Sequence, residues 1–313
     1  MGFKAIISGQ LDFYNERSYN KTIEMCKHKM EVLYKDQVLL KIEDIFDEEK
    51  GSIIIPRFVK DEIDHKRWRN TLSLLNYIAD FAISGSVSAW LIEERKIVEH
   101  YSIEPSSDKT VIKNYRKGRE ILDNEGSMEE AKVALNKAIK KFERHGLAYE
   151  RRGFINHQLK NYDDAIYDYT KSINFHPHNA GSYYGRALIY IMRGELEKAI
   201  DDLDKTVRNS IAHESIYWKA RKLKGECYIK LEEYSKAAFE FKLFTNRKFA
   251  EGDPNIDVLK DAFFLFGRAL LGSGEPDKAL EALKSAKELK IGRESFSEAE
   301  WKSYHQQAVE AAV

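Results

Sequence analysis

The sequence predicts an α-solenoid of about five helix pairs with a C-terminal capping helix, preceded by a small α+β domain. Three observations predict it. Small residues recur through the second half: Ala131, Ala165 and Ala199 at steps of 34, then Ala237 and Ala279 after 38 and 42. Each is followed four residues on by a large apolar side chain, namely Leu135, Tyr169, Leu203, Phe241 and Leu283. Before about residue 105 the apolar period shortens to that of strands, with two helical stretches between them.

In chain order, Phe3–Phe13 reads as a strand and Tyr19–Tyr34 as a helix. Gln37–Phe46 reads as a second strand, and Gly51–Val59 follows it across an acidic turn, as in a hairpin. Arg67–Ile83 reads as a helix, and Ser86–Ile103 as another hairpin turning at Glu93–Lys96. The order β-α-β-β-α-β-β suits a ferredoxin-like layer with an added strand. The polar stretch Ser102–Thr110 separates two periodicities. The expected division is therefore 1–105 as the α+β domain, 106–111 as linker, 112–293 as the helical array and 294–313 as the cap.

Inside the array a second set of small residues, Gly153, Ala187, Gly225 and Gly267, keeps nearly the same spacings. Each unit thus holds two amphipathic helices joined by a short turn. Antiparallel helices lie about 8–10 Å apart, and the shorter distance leaves no room for bulk at the crossing. Gly126, Gly194 and Gly274 fall between the helices of their units, where a C-cap residue belongs. Pro276 starts a helix, where its missing N–H costs nothing, and Pro177 ends a unit. Longer spacings imply lengthened helices or loops near Ile211–Tyr217 and Phe249–Val258. Residues Glu294–Ala312 read as one more helix, able to cover the open face of the last unit with Phe296, Trp301 and Tyr304.

This pattern resembles the tetratricopeptide repeat (TPR) family over residues 112–293. In the unit near Gly146, the residues Tyr149, Gly153, Tyr162, Ala165, Tyr169 and Pro177 fit the family pattern. Two places depart from it: Arg119 stands where a small residue is wanted, beside Gly118, and Arg221 stands at a usual aromatic place. The resemblance implies that the first helices line a concave, partner-binding face. On that face the expected groove residues are Glu150, Arg151, Phe154, His157, Tyr184, Leu188, Ile191, Lys222 and Glu226. An apolar centre with charged edges suits an extended or helical peptide with an apolar anchor. The competing reading is that Tyr184, Leu188 and Ile191 pack against neighbours as core. Chaperone-binding members of the family use a two-carboxylate clamp of Lys, Asn and Arg on successive first helices. The matching places here hold Glu150, Phe154 and Gly185, with only Lys219 compatible, so that clamp is not expected.

Composition agrees with this class. Charged residues make up 33% and hydrophobic ones 43%, with 17 Gly and 5 Pro, which favours helix. Basic and acidic residues balance at 51 each, so the broad positive footprint of a nucleic-acid binder is missing. No phosphate-cradling GxxxxGK[ST] or GxGxxG loop is present. His176 and His178 read as a polar loop between units rather than as metal ligands. Glu43–Glu49 with Asp61–Asp64 reads as a solvated hairpin tip, and the basic residues from Lys137 to Arg152 as a solvated helix face. No signal peptide, membrane span or myristoylation site is expected, since Ile6 occupies the place where Ser or Thr is wanted. Cys26 and Cys227 read as buried thiols in a reducing compartment, hence a cytoplasmic protein.

The expected function is that of a noncatalytic adaptor or assembly scaffold, with no cofactor and no metal. Its partner is another protein, held in the groove, and the edge of the N-terminal sheet offers a route to self-association. Two alternatives stay open: an enzyme or ligand-binding site in the N-terminal domain with the repeats as a targeting arm, and a regulator that sequesters a signalling protein.

Overall fold

The structure, a computed structural model, describes residues 2–35, 37–94, 96–107 and 109–313. Met1, Asp36, Arg95 in the expected turn at Glu93–Lys96, and Asp108 in the expected linker lie outside the described residues. The chain divides into two compact units, 1–182 and 183–313.

The first unit opens with a five-stranded sheet in the order β2-β3-β1-β4-β5. The strands are β1 (Phe3–Asp12), β2 (Phe46–Asp47), β3 (Ser52–Ile63), β4 (Ser84–Glu93) and β5 (Lys96–Ile103), and all neighbours are antiparallel. With helices α1 (Glu16–Lys29) and α3 (His65–Ala79) this is the ferredoxin-like order with β5 added beside β4. Asn15 and Asp64 cap the two helices by accepting from the backbone N–H of Ser18 and Arg67. One expected strand is largely absent. Within Gln37–Phe46 the chain forms a short helix α2 (Ile42–Ile45), and pairing begins only at Phe46. Ile42 and Ile45 are both buried, and their three-residue spacing brings both to the core only if the chain coils. The helix expected to run on to Tyr34 widens into a π-turn at Met30–Tyr34 and closes at Lys35, in the left-handed region at φ 47°.

Alternation along the strands sorts the two faces of the sheet. Ala5, Ile7, Leu11, Ile53, Ile55, Val87, Ala89 and Leu91 share a buried core with Tyr19, Cys26, Trp68, Leu75 and Ile78 of the two long helices. Gln10 and Asp12 alternate with this set, so they belong to the opposite face. Gly85 (φ 99°) lets β4 approach β1 closely, since a Cβ there would stand 2.1 Å from the Gln10 carbonyl oxygen.

Two helix pairs complete the first unit: α4 (Thr110–Asp123) with α5 (Met128–Lys141), and α6 (Gly146–Gln158) with α7 (Tyr162–Phe175). Their crossings explain the spacing of small residues. A Cβ at Gly118 would stand 2.8 Å from Leu135, and one at Gly153 3.1 Å from Tyr169. Gly118 therefore fills the small place that Arg119 seemed to occupy.

The second unit begins within α8 (Ala180–Met192), which pairs with α9 (Leu196–Asn209). Then come α10 (Ser215–Lys230) with α11 (Tyr234–Thr245), and α12 (Leu259–Gly272) with α13 (Pro276–Glu288). The crossing repeats here: added Cβ atoms at Gly225 and Gly267 would stand 2.8 Å from Phe241 and 2.6 Å from Leu283. The longer spacings come from a 16-residue α10 and from the connection before α12, which holds a 3-10 turn at Ile256–Val258. Gly194 and Gly274 take the left-handed turn position, as expected. Gly126 does not; Glu125 takes it at φ 55°, as Lys160 and Glu232 do in their units. The last helix, α14 (Glu298–Ala311), starts with a Ser297–Glu300 capping box. Phe296 stacks on Phe264 at 4.4 Å, and the Trp301 indole donates to the Leu283 carbonyl at 2.8 Å.

The crossing yields a first prediction. Ala199 is fully buried with Ala187, Leu203 and Ala220. Ala199→Phe is expected to overpack the site and cost about 1–3 kcal/mol. Urea unfolding of the full chain measures this, and an unchanged midpoint would show that the site has room to spare.

Candidate interaction surface

The central helix pairs are bound internally by a repeated ion pair. The residue just before each crossing is a cation, and its partner carboxylate lies sixteen positions on. Arg152 donates to Asp168 at 2.6 and 2.9 Å, Arg186 to Asp202 at 2.7 and 2.8 Å, and Lys224 pairs with Glu240 at 2.6 Å. The three carboxylates are buried. Arg221, the departure from the aromatic pattern, adds a second cation to Glu240 at 2.6 Å and lies over the Tyr217 ring. Partnered charge of this kind tolerates burial, whereas a lone charge does not. These cations are thereby committed to the helix pairs.

The nine expected groove residues fall in both units. In the first, Glu150, Arg151, Phe154 and His157 lie along α6. Phe154 is 41% exposed, a large aromatic on a first helix with no core to fill. Glu150 accepts from the Asn179 amide at 3.2 Å, and its carboxylate holds the Arg151 guanidinium above its ordinary value. Burial keeps the His157 imidazole below its usual range, beside the Tyr162 ring.

In the second unit, Tyr184, Leu188 and Ile191 lie along α8, while Lys222 and Glu226 lie on α10. Tyr184 and Ile191 are partly buried against Ala187, Ala199, Leu203, Ala220 and Cys227. They thus have a core side as well as an outer side. Burial, with Glu226 nearby, pushes the Tyr184 phenol up. Lys222 is bound on both sides, by Glu226 and, at 2.7 Å, by Asp261. Burial works against its charge, but the two carboxylates outweigh that and hold its pKa up.

A polar cluster within the first unit has no counterpart in the sequence reading. His176 is buried rather than exposed in a loop, and its Nε2 lies 2.7 Å from Asp12 Oδ2. Asp12 also accepts from Gln10 Nε2 at 2.7 Å, Ser52 Oγ at 3.0 Å and Ser84 Oγ at 2.5 Å. Burial pushes this carboxyl up, but the charge and hydrogen bond of His176, with those of Ser84 and Gln10, bring it down to about 2. Gln10 Nε2 reaches the Phe175 carbonyl at 3.0 Å, and Arg144 donates to the Lys50 carbonyl at 2.8 Å. Ile83, Val111 and Phe142 form a buried apolar cluster. The polar face of the sheet is therefore docked on the first two helix pairs. Among the described residues no group of three or more His, Cys, Asp or Glu is placed to hold a metal, and no helix is long and apolar enough to cross a membrane.

Comparison with known proteins follows the helical part. Over 82 residues the chain is 38% identical to "TPR repeat-containing protein MJ1428" of Methanocaldococcus jannaschii, covering 25% of this chain and 14% of that protein. The chain thus spans a small part of this curated relative. The helical part of the chain is a solenoid of tetratricopeptide-type helix pairs.

The sequence model described as "Anaphase-promoting complex, cyclosome, subunit 3" matches residues 158–242, within the TPR array. Among solved structures, a MamA protein is 21% identical with a TM-score of 0.48, over 58% of this chain and 92% of that one. YrrB, described as a TPR protein with an unusual peptide-binding site, is 20% identical with a TM-score of 0.45, over 57% and 88%. The cation-to-carboxylate spacing of sixteen was readable in the TPR sequence, because Arg152, Arg186 and Lys224 each precede a crossing residue. The Asp12–His176 contact was not, since 164 positions separate its partners.

Proposed function

We propose that the chain is a noncatalytic protein-interaction scaffold in the cytoplasm, whose TPR first helices receive a segment of a partner protein. The observation that carries this reading is Phe154, an exposed aromatic beside the opposite charges of Glu150 and Arg151. Tyr184, Leu188 and Ile191 offer a second apolar stripe, beside the paired charges of Lys222, Glu226 and Asp261. An aromatic anchor ringed by polar groups is the usual form of a binding hot spot. Because the charges are already paired, they orient a partner more than they attract it. The two cysteines are free and buried, and burial pushes Cys26 up to about 12 and Cys227 to about 11. Such inert thiols suit a reducing compartment.

The test uses peptides selected on the full chain from a random display library. Phe154→Ala should weaken a selected peptide by about 2 kcal/mol, roughly thirtyfold, with little change in melting. Tyr184→Ala should lower both affinity and stability, since Tyr184 packs partly into the core. Charge reversal at Lys222 would gather three carboxylates and read stability rather than binding. Selected peptides indifferent to both Phe154→Ala and Tyr184→Ala would refute the groove.

A further inference from the structure

Arg119 directly follows the crossing glycine of the first helix pair, as Phe154 follows that of the second. Instead of facing solvent alone, it binds the chain itself. Its Nη1 donates to both Glu104 carboxylate oxygens, at 2.8 and 2.7 Å. Arg116 Nη2 donates to the Pro105 carbonyl at 2.8 Å, and Arg119 lies 5.8 Å over the Tyr115 ring. Glu104 and Pro105 come just after Ile103, the last paired residue of β5, so no strand ladder holds them. The next polar tie is Ser106 Oγ to Asp80 at 2.6 Å, and it is exposed. The side chains of Arg119 and Glu104 are themselves 26% and 25% exposed.

We propose that the Arg116–Arg119 face of the first repeat is a carboxylate-binding site for an acidic, extended segment of a partner protein, held closed in cis by the chain's own Glu104–Pro105 strap. The charge balance supports this. With the strap lifted, Arg119 loses Glu104, the carboxylate it binds, and Arg116 loses the Pro105 carbonyl, whereas Arg151 keeps Glu150 nearby. A guanidinium that binds a carboxylate through two oxygens is among the stronger recognition elements, and geometry makes it selective for that group. A tethered strap competes at an effective concentration in the millimolar range. A partner therefore binds the closed chain weakly and the opened chain well. This inference rests on the reading that TPR first helices receive partner segments, but it fails separately, because it depends on Arg119 and not on Phe154.

The probe is a fluorescently labelled peptide copying residues 102–107, capped at both ends and titrated onto the full chain. Glu104→Gln keeps the shape of the strap and removes its charge. That variant should bind the peptide at least about tenfold more tightly than the parent, by the fraction of time the parent strap is closed. Adding Arg119→Ala should abolish the gain, and a peptide with glutamine in place of its glutamate should not bind. Equal affinity in the parent and Glu104→Gln chains, or a gain that survives Arg119→Ala, would overturn the proposal. Should Glu104→Gln fail to fold, Glu104→Asp shortens the reach to Arg119 and carries the same test with the same two outcomes.

Discussion

Replacing Asp12 by alanine is expected to destabilise the first unit by about 3–5 kcal/mol, the usual cost of leaving one member of a buried pair alone. Asp12 is 3% exposed and accepts from four side chains, Gln10, Ser52, Ser84 and His176. Alanine would leave the His176 Nε2 and the Ser84 hydroxyl without this acceptor in a site with little access to water, and would leave Ser52 only the Lys50 carbonyl at 3.3 Å. Asp12→Asn should cost less, because the amide still accepts a hydrogen bond though it carries no charge. Urea unfolding of the full chain, followed by circular dichroism, measures both. The loss should appear as a lower midpoint of the transition in which the first unit unfolds. A loss under about 1 kcal/mol for Asp12→Ala would mean that the cluster is held by its surroundings rather than by the carboxylate.

A comparable loss is expected from mild acid, through His145. This ring is 1% exposed, between Tyr115 at 4.8 Å and Phe142 at 6.4 Å. Its Nδ1 accepts from the Ala148 N–H, and its Nε2 has no hydrogen-bonding partner among the described residues. Burial, with His176 beside it, lowers its pKa from 6.5 to about 3. The folded chain therefore keeps His145 neutral while the unfolded chain takes up a proton below about pH 6.5. Stability from this residue is complete above pH 6.5 and falls as pH drops toward 3, by about 1.4 kcal/mol per unit. By pH 4 the expected loss is roughly 3 kcal/mol. Asp12 adds to it only in stronger acid, because its carboxyl is lowered from 3.8 to about 2 and its contribution fades between those values. His145→Asn keeps a capping acceptor and removes the titration. It should flatten the pH dependence of unfolding between 6.5 and 4, and an equal slope in parent and variant would assign the acid sensitivity elsewhere.

Most of the helical array was legible because its information is local. A small residue at each crossing, a bulky one sixteen or seventeen positions on, and a turn between them all lie within one 34-residue window. The N-terminal layer was legible in order but not in detail. Within Gln37–Phe46 the run of apolar residues fits a strand or a buried helix turn, and periodicity alone cannot choose between them. Arg119 was misread for a related reason. Sequence register places it within one residue of the crossing, but only packing shows that Gly118 takes the contact and Arg119 turns to Glu104.

The sequence by itself determined the repeat pattern, the ferredoxin-like element order and the positions of the helix crossings, because steric fit between neighbouring helices leaves a periodic trace in residue size. Only the tertiary structure decided which charges are spoken for. Lys222 is clamped by Glu226 and Asp261, Arg119 by Glu104, and Asp12 meets His176 from the far end of the first unit. Unlike the cations that precede the crossings, these charges follow no period. Their energy depends on burial and on the few groups within about 4 Å, and those are set by how distant elements dock.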